Sequence, residues 1–494
     1  MFEYAESDPT ISTEQAKRLI PALRTRLLRA QDALMARKDR ALLILIGGID
    51  GAGKGDTINL LNDWMDARHI QTMAFAPPTK DERAYPTMYR FWRELPAKGE
   101  IGIVFGSGYA PLLRESIKKH PDPDRLEDLI LTARRYEADL VANGVQVIKL
   151  WFHLSKKAQK KRMQELLMNP STAWKVSPQD HEVCKNFKRV RQAAVRVIEA
   201  TDAAHSPWII IPAADENLRN IRTGQAVLQA LQRRSVSVPP LHDPAVLPTL
   251  KRQRNPLTQL DYTASLDKDD YETQLLHWQN RLAELVRDKK LIKHHALMVV
   301  FEGSDAAGKG GAIRRITQAI DARQYDIMPV AAPEPFELAR PYLWRFWRRV
   351  PRHGQITIFD RSWYGRVLVE RIEKLISPAT WRRAYAEING FEQHLSHSGI
   401  IVVKFWLAIT ADEQLKRFKE RQAHAFKRYK LTEEDWRNRK RWKAYETATA
   451  DMLVRTDTPQ ASWHLISAND KRHARVEVLK QLVKRIEDVI YRDN

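Results

Sequence analysis

Cysteine is all but missing from this chain: Cys184 is the only one among 494 residues. One thiol excludes an intrachain disulfide and a cysteine-built zinc site. Long apolar runs are missing too, since even residues 296–301 are only strand length, against the roughly 20 residues a membrane helix needs. The opening Met1-Phe2-Glu3-Tyr4-Ala5-Glu6 is acidic and lacks the basic-then-apolar order of a secretory leader. A soluble, cytoplasmic protein is expected. Low-complexity sequence and heptad repeats are also absent. Negative charge is in deficit, with 61 Asp+Glu against 82 Lys+Arg and a net charge of +21. That balance suits a polyanionic partner, without saying which, or serves solubility. Otherwise 43% hydrophobic and 29% charged residues are an ordinary globular composition.

What is present is one string written twice. Gly303-Ser304-Asp305-Ala306-Ala307-Gly308-Lys309-Gly310 follows the apolar residues 296–301, and Gly48-Ile49-Asp50-Gly51-Ala52-Gly53-Lys54-Gly55 follows 42–46. The offset, Asp50 to Asp305, is 255 residues. Without a gap it carries Phe91-Trp92-Arg93 onto Phe346-Trp347-Arg348, Lys149 onto Lys404 and Trp208 onto Trp463. Length and repeat together predict two domains, residues 1–234 and 263–494. Residues 235–262, with Pro239, Pro240, Pro244, Pro248 and Pro256, read as the linker. Each half opens with an amphipathic helix, at 13–37 and 269–289, followed by strand, glycine loop and helix. Further strands are expected at 356–359, 400–407 and 463–466. Alternating strands and helices predict an α/β fold whose mainly parallel sheet is covered on both faces.

The spacing Gly303-x₄-Gly308-Lys309, between a strand and a helix, is that of a phosphate-binding loop (P-loop). Its backbone N–H groups close on phosphate oxygens and the lysine reaches a terminal phosphate. Gly310 stands where such loops carry a Ser or Thr for Mg²⁺. The available carboxylates are Asp305 and Asp360, which with phosphate oxygens and water suit a hard octahedral cation. The plainer reading of Asp360 is a strand-end cap paired with Arg361. Cations gather at Arg361, Arg366 and Arg371, and again at Lys416, Arg417, Lys419, Arg421, Lys427, Arg428 and Lys430. The second group is either a solvated helix face or a lid whose arginines neutralise transferring phosphate. Trp436 and Trp442 read as packing residues, and His294, His295 and His424 as structural.

The first copy keeps Asp50, Lys54, Arg90 and Lys149. Under the offset it has Phe105 for Asp360, Gly106 for Arg361, Pro111 for Arg366, Ser116 for Arg371, Leu166 for Arg421 and Ala173 for Arg428. A candidate metal ligand and five cations are lost together, so the first half is expected to be catalytically degenerate, with Asp50 and Lys54 its remnant.

Three runs carry a resemblance: Gly303-x-Asp305-x-Ala307-Gly308-Lys309-Gly310-Gly311, Asp360-Arg361-Ser362-Trp363-Tyr364, and Glu420-Arg421 with Lys427-Arg428-Tyr429-Lys430. Together they resemble the second family of polyphosphate kinases, and the duplication resembles its two-domain branch, which makes ADP from AMP and polyphosphate. The resemblance implies tandem three-layer α/β/α P-loop kinase-like domains. It also implies Mg²⁺ on Asp305 and Asp360, and polyphosphate contacts from Lys309, Arg361 and Arg421. Charge and chemistry add Gly303, Gly308, Gly310, Arg366, Arg417, Lys427 and Arg428 as phosphate-binding candidates. The expected substrates are inorganic polyphosphate and AMP, with nucleic acid the weaker partner, no membrane, and oligomerisation left open. Competing readings are an ATP-dependent nucleotide kinase on the same fold and a non-catalytic polyanion-binding protein.

Overall fold

The computed structural model describes residues 1–233, 255–424 and 431–491. The chain divides into two compact units. One comprises Met1–Pro78, Arg90–Leu241 and Glu334–Trp344; the other comprises Thr79–Tyr89, His242–Pro333 and Arg345–Asn494. Each is taken by itself.

The first unit holds a five-stranded sheet: β1 (Ala41–Gly48), β2 (Ile70–Ala74), β3 (Ile101–Phe105), β4 (Val145–His153) and β5 (Trp208–Pro212). Its strand order is β2-β3-β1-β4-β5, and every pairing is parallel. The second unit repeats it with β6 (Ala296–Gly303), β7 (Tyr325–Pro329), β8 (Ile356–Asp360), β9 (Ile400–Ala408) and β10 (Trp463–Ser467), in the order β10-β9-β6-β8-β7. The glycine loop leaves the central strand in both, so the ends of its neighbours surround it, which is where ligands bind in open parallel sheets.

Residues 296–301 are buried throughout because β6 has strands on both sides and helices on both faces. Leu297, Val299 and Phe301 form the core with Leu479, Leu482, Val483 and Ile486 of the last helix. The edge strand β7 went unnoticed in the sequence. Its Tyr-Asp-Ile-Met-Pro pattern is half-exposed and ends in proline, as an edge strand tolerates. Helix Thr13–Arg37 has the expected bounds. The helix expected over 269–289 runs Lys268–Leu285, and Asp288 caps a separate short helix, Lys289–His294.

The far end of the expected linker is folded. Asn255 caps a turn at Pro256–Gln259, and Tyr262 Oη donates to Leu257 O at 3.2 Å. Residues 255–262 therefore belong to the second unit's wall.

One buried network is common to both units. Lys404 Nζ reaches Glu392 Oε2 at 2.8 Å, Tyr364 Oη at 2.9 Å and Thr456 O at 2.7 Å. Lys149 makes the equivalent bonds to Glu137 at 2.7 Å and Thr201 O at 2.7 Å, and lies 3.4 Å from Tyr109 Oη. Burial pushes both lysines below their ordinary pKa, while the paired glutamates oppose that shift. Its presence in both units makes this network framework. In the second unit it anchors, through Tyr364, the turn that follows Asp360.

Candidate active site

The loop of the second unit is set by packing. Gly303 has φ +143°, and a Cβ there would stand 2.3 Å from Leu407 O. Gly308, at φ +106°, starts helix Lys309–Thr317 with no side-chain cap, leaving its first N–H groups for an anion. Lys309 Nζ donates to Gly303 O at 2.9 Å. A Cβ on Gly310 would meet nothing within 4 Å, so neither packing nor a left-handed backbone demands glycine there.

Asp305 and Arg361 come together across the loop. Arg361 Nη2 donates to Asp305 Oδ1 at 3.2 Å, and Asn438 Nδ2 donates to Asp305 Oδ2 at 2.9 Å. Burial opposes the charge on Arg361, but Asp305, Glu302, Glu434 and Asp360 outweigh it and hold its pKa above the ordinary value. Asp360 ends β8 half-buried. Among the described residues its carboxylate takes no hydrogen bond or ion pair, so the cap paired with Arg361 is not what forms.

Two openings flank the loop. On one side Gly308 and Gly311 face Arg417, Arg421, Lys471 and Arg475, with Glu420 the one carboxylate, around about 290 Å³. On the other, a cavity of about 360 Å³ has Glu302, Asp305 and Arg361 at its polar end and Leu257, Tyr262, Trp406, Trp442 and Tyr445 along its walls. One opening is cationic and the other is largely apolar and aromatic.

Two candidates act differently from expectation. Arg417 is 3% exposed and spends its guanidinium on Ala306 O, Ala307 O, Ala468 O, Asn469 O and Glu413. It borders the cationic opening beside Gly308, but its N–H groups are spent on the loop and its neighbours. Arg366 pairs with Glu370 at 2.7 Å and lines neither opening. Lys427 and Arg428 lie outside the described residues. Trp436 packs on Phe418, as expected, whereas Trp442 lines the larger cavity.

Glu302, Asn438, Lys471, Arg475 and the aromatic wall were missed. A signal for most of them lay in the repeat. The offset gives Gly47 for Glu302, Val183 for Asn438, Glu216 for Lys471 and Asn220 for Arg475.

The first unit fills both openings with its own side chains. Phe2 stacks on His153, centroids 3.9 Å apart and planes at 6°; the equivalents across the repeat are Leu257 and Ala408. His153 Nε2 meets Glu6 at 3.0 Å, and Arg191 donates to Glu6 at 2.6 Å. At the loop, a Cβ on Gly53 would stand 2.1 Å from Arg219 Nη1, where the second unit has only Ala474. Carboxylates also hold three of its cations: Asp50 holds Lys54 at 2.9 Å, and Asp56 holds Arg162 and Lys175, each at 3.2 Å.

A parallel sheet with a P-loop on its central strand, cations on one side and a nucleoside-sized cavity on the other, defines a kinase-type phosphotransferase. The chain matches the family described as polyphosphate kinase 2 over residues 10–239 and 265–493, and it belongs to that family. It is 46% identical over 496 residues to the polyphosphate:AMP phosphotransferase of Pseudomonas syringae pv. tomato, covering 100% of this chain and 99% of that one. The enzyme of the same name from Acinetobacter johnsonii is 41% identical over 474 residues, with 93% and 94% covered. A crystal structure assigned as a polyphosphate kinase 2 from Pseudomonas aeruginosa PA01 superposes with a TM-score of 0.89 at 46% identity, over 100% of each chain.

Proposed function

We propose that the second unit transfers the terminal phosphate of inorganic polyphosphate to AMP, giving ADP, and that the first unit is catalytically silent. The observation that carries this reading is the pair of openings on either side of the Lys309 loop, both of which the first unit fills. A polyphosphate donor presents a line of charges with no base to recognise, which suits Arg421, Lys471 and Arg475. The aromatic cavity suits the nucleoside of the acceptor. Relatives that span the whole chain carry the same activity in their names.

A phosphate oxygen of AMP attacks the terminal phosphorus in line. The new P–O bond forms as the bridging P–O bond breaks, and the shortened polyphosphate leaves with the electron pair. The acceptor phosphate is already ionised, so no strong general base is needed, and catalysis reduces to alignment and charge neutralisation. Lys309 moves its donors from Gly303 O to phosphate oxygens, and Arg361 swings from Asp305 onto the transferring group. Arg421 neutralises charge from the donor side, while Arg417 keeps the loop in shape.

A divalent cation, expected to be Mg²⁺, fits the carboxylates present. Among the described residues no three His, Cys, Asp or Glu side chains cluster as a protein-only cage. Among the described residues the Asp360 carboxylate has no partner, and an Arg361 movement would release Asp305 Oδ1 while Asn438 keeps Oδ2, which suits an ion completed by phosphate and water. When bound, it supplies positive charge to the transferring phosphate. No helix among the described residues is long and apolar enough to cross a membrane, and a cytoplasmic location fits an AMP substrate.

The deciding assay is ADP formation from AMP, polyphosphate and Mg²⁺ without ATP, run beside ATP as donor. Turnover with polyphosphate is expected. Turnover with ATP alone would make the chain an ordinary nucleotide kinase, and binding without turnover a polyanion-binding protein.

A further inference from the structure

Arg361 occupies an unusual backbone position. Its φ is +65°, and the first copy has Gly106 there at φ +78°. Glycine takes that conformation freely, whereas an L side chain is strained in it. Strain of this kind persists only where the surroundings over-determine it.

Three of the turn's bonds bear on Arg361. Arg361 N donates to Phe301 O at 3.0 Å, and Ser362 Oγ accepts from Tyr364 N at 3.3 Å, capping the turn Trp363–Arg366. The third is particular to this copy: Ser362 Oγ donates to Glu302 Oε1 at 2.8 Å, with Glu302 5% and Ser362 3% exposed. The first copy keeps the serine, Ser107, whose Oγ accepts from Tyr109 N at 3.4 Å. In place of the glutamate it has Gly47, where a Cβ would meet the Trp151 ring at 3.2 Å. So the buried carboxylate stands where the strained arginine stands, and neither is in the copy whose openings are filled. Burying a carboxylate is costly without compensation, and burial does push the Glu302 carboxyl up, against the pull of Ser362, Lys309 and Arg361. A hydroxyl–carboxylate bond is among the stronger hydrogen bonds available to oppose that cost.

We infer that Glu302 is a positioning residue for phosphoryl transfer: it fixes the Ser362 hydroxyl, and so the left-handed turn that aims Arg361 at the transferring phosphate. This rests on the reading that Arg361 serves transfer in the second unit. A misplacement of about 1 Å can cost about 10²-fold in rate, so the clamp is expected to act on kcat and to leave acceptor binding alone.

The test uses the full chain. Steady-state kcat, KM for AMP and melting temperature are measured for Glu302→Ala, Glu302→Gln, Ser362→Ala, the Glu302→Ala/Ser362→Ala double variant and Arg361→Ala. Glu302→Ala and Ser362→Ala should each lower kcat by about 10- to 100-fold with KM for AMP little changed. The double variant should be no worse than the poorer single one. Glu302→Gln, whose amide oxygen still accepts from Ser362, should recover most of the rate. The clamp is overturned if Ser362→Ala keeps the parent kcat, if the two losses multiply, or if Glu302→Gln is as slow as Glu302→Ala. Should Glu302→Ala fail to fold, Ser362→Ala and Glu302→Gln decide alone. Parent-like turnover in Arg361→Ala would sink the role given to Arg361 itself, whereas a slow Arg361→Ala beside a fast Ser362→Ala sinks only the clamp.

Discussion

The two units share a sheet order, a glycine loop and a buried Lys–Glu–Tyr network, yet they differ wherever a ligand would touch. Where the second unit has Leu257 and Ala408, the first has Phe2 stacked on His153. Where the second leaves Ala474 beside the loop, the first inserts Arg219. Where the second lines the loop mouth with Lys471 and Arg475, the first has Glu216 and Asn220. Keeping a fold needs its core and its buried polar bonds, and both units keep them. Keeping a site needs space, and the first unit has closed it with Phe2, His153 and Arg219. Side-chain changes at constant topology separate the two.

The sharpest way to break this comparison is to strike matching positions. Asp360→Asn or Lys309→Ala should lower turnover by about 10²–10³-fold or more, whereas Lys54→Ala should leave the rate near that of the parent. Equal losses in a steady-state assay would mean that both units work. Arg421→Ala tests the donor side on the same scale. An arginine on a transferring phosphate can be worth about 10³–10⁵ in rate, whereas a solvated one changes stability by about 0.5 kcal/mol or less. Arg421→Ala should therefore lower kcat sharply at an unchanged melting temperature, with Arg421→Lys a partial rescue because the planar fork is lost. A near-normal kcat would return that helix to a solvated face.

A smaller effect sharpens the comparison at the nucleoside cavity. Ala408→His, alone or with Leu257→Phe, copies the first unit's filling into the second. KM for AMP should rise about tenfold or more, equivalent to roughly 1.4 kcal/mol, while affinity for polyphosphate holds. Unchanged KM would place the acceptor elsewhere.

The smallest effect concerns the filled pocket. His153 is fully buried beside Glu6, Arg191 and Asp8, and burial holds its pKa below the ordinary 6.5 although Glu6 pulls the other way. With the folded value depressed, the unfolded chain takes the proton first as pH falls. The contribution is thus full above pH 6.5 and declines below it, toward the folded value. Acidification through that window should lower the first unit's melting temperature, and His153→Gln should flatten the dependence. A His153→Gln variant with the parent's pH profile would remove His153 from the account.

Much of this was legible without coordinates, because the repeat acts as an internal control. The offset of 255 aligns strands β1, β4 and β5 with β6, β9 and β10 residue for residue, and it marks Asp360, Arg361 and Arg421 as the side chains that one copy gave up. Local signals placed the glycine loop and the buried strands, since a fully covered parallel strand reads as a continuous apolar run. The edge strand β7 was not legible, because a half-exposed strand has no such run. Nor did a charge count say which arginine faces phosphate. Arg417 and Arg421 lie four residues apart on one helix and both border the cationic opening, yet the Arg417 guanidinium is spent on loop carbonyls. Glu302 looked like one more residue before a loop until the return of β8 brought Ser362 against it. Sequence alone thus determined the fold and the repeat, because hydrophobic period and glycine spacing are local. Only the tertiary structure decided which charges are spent on the protein itself, as Arg417 is on the loop, because pairing depends on residues distant in the chain.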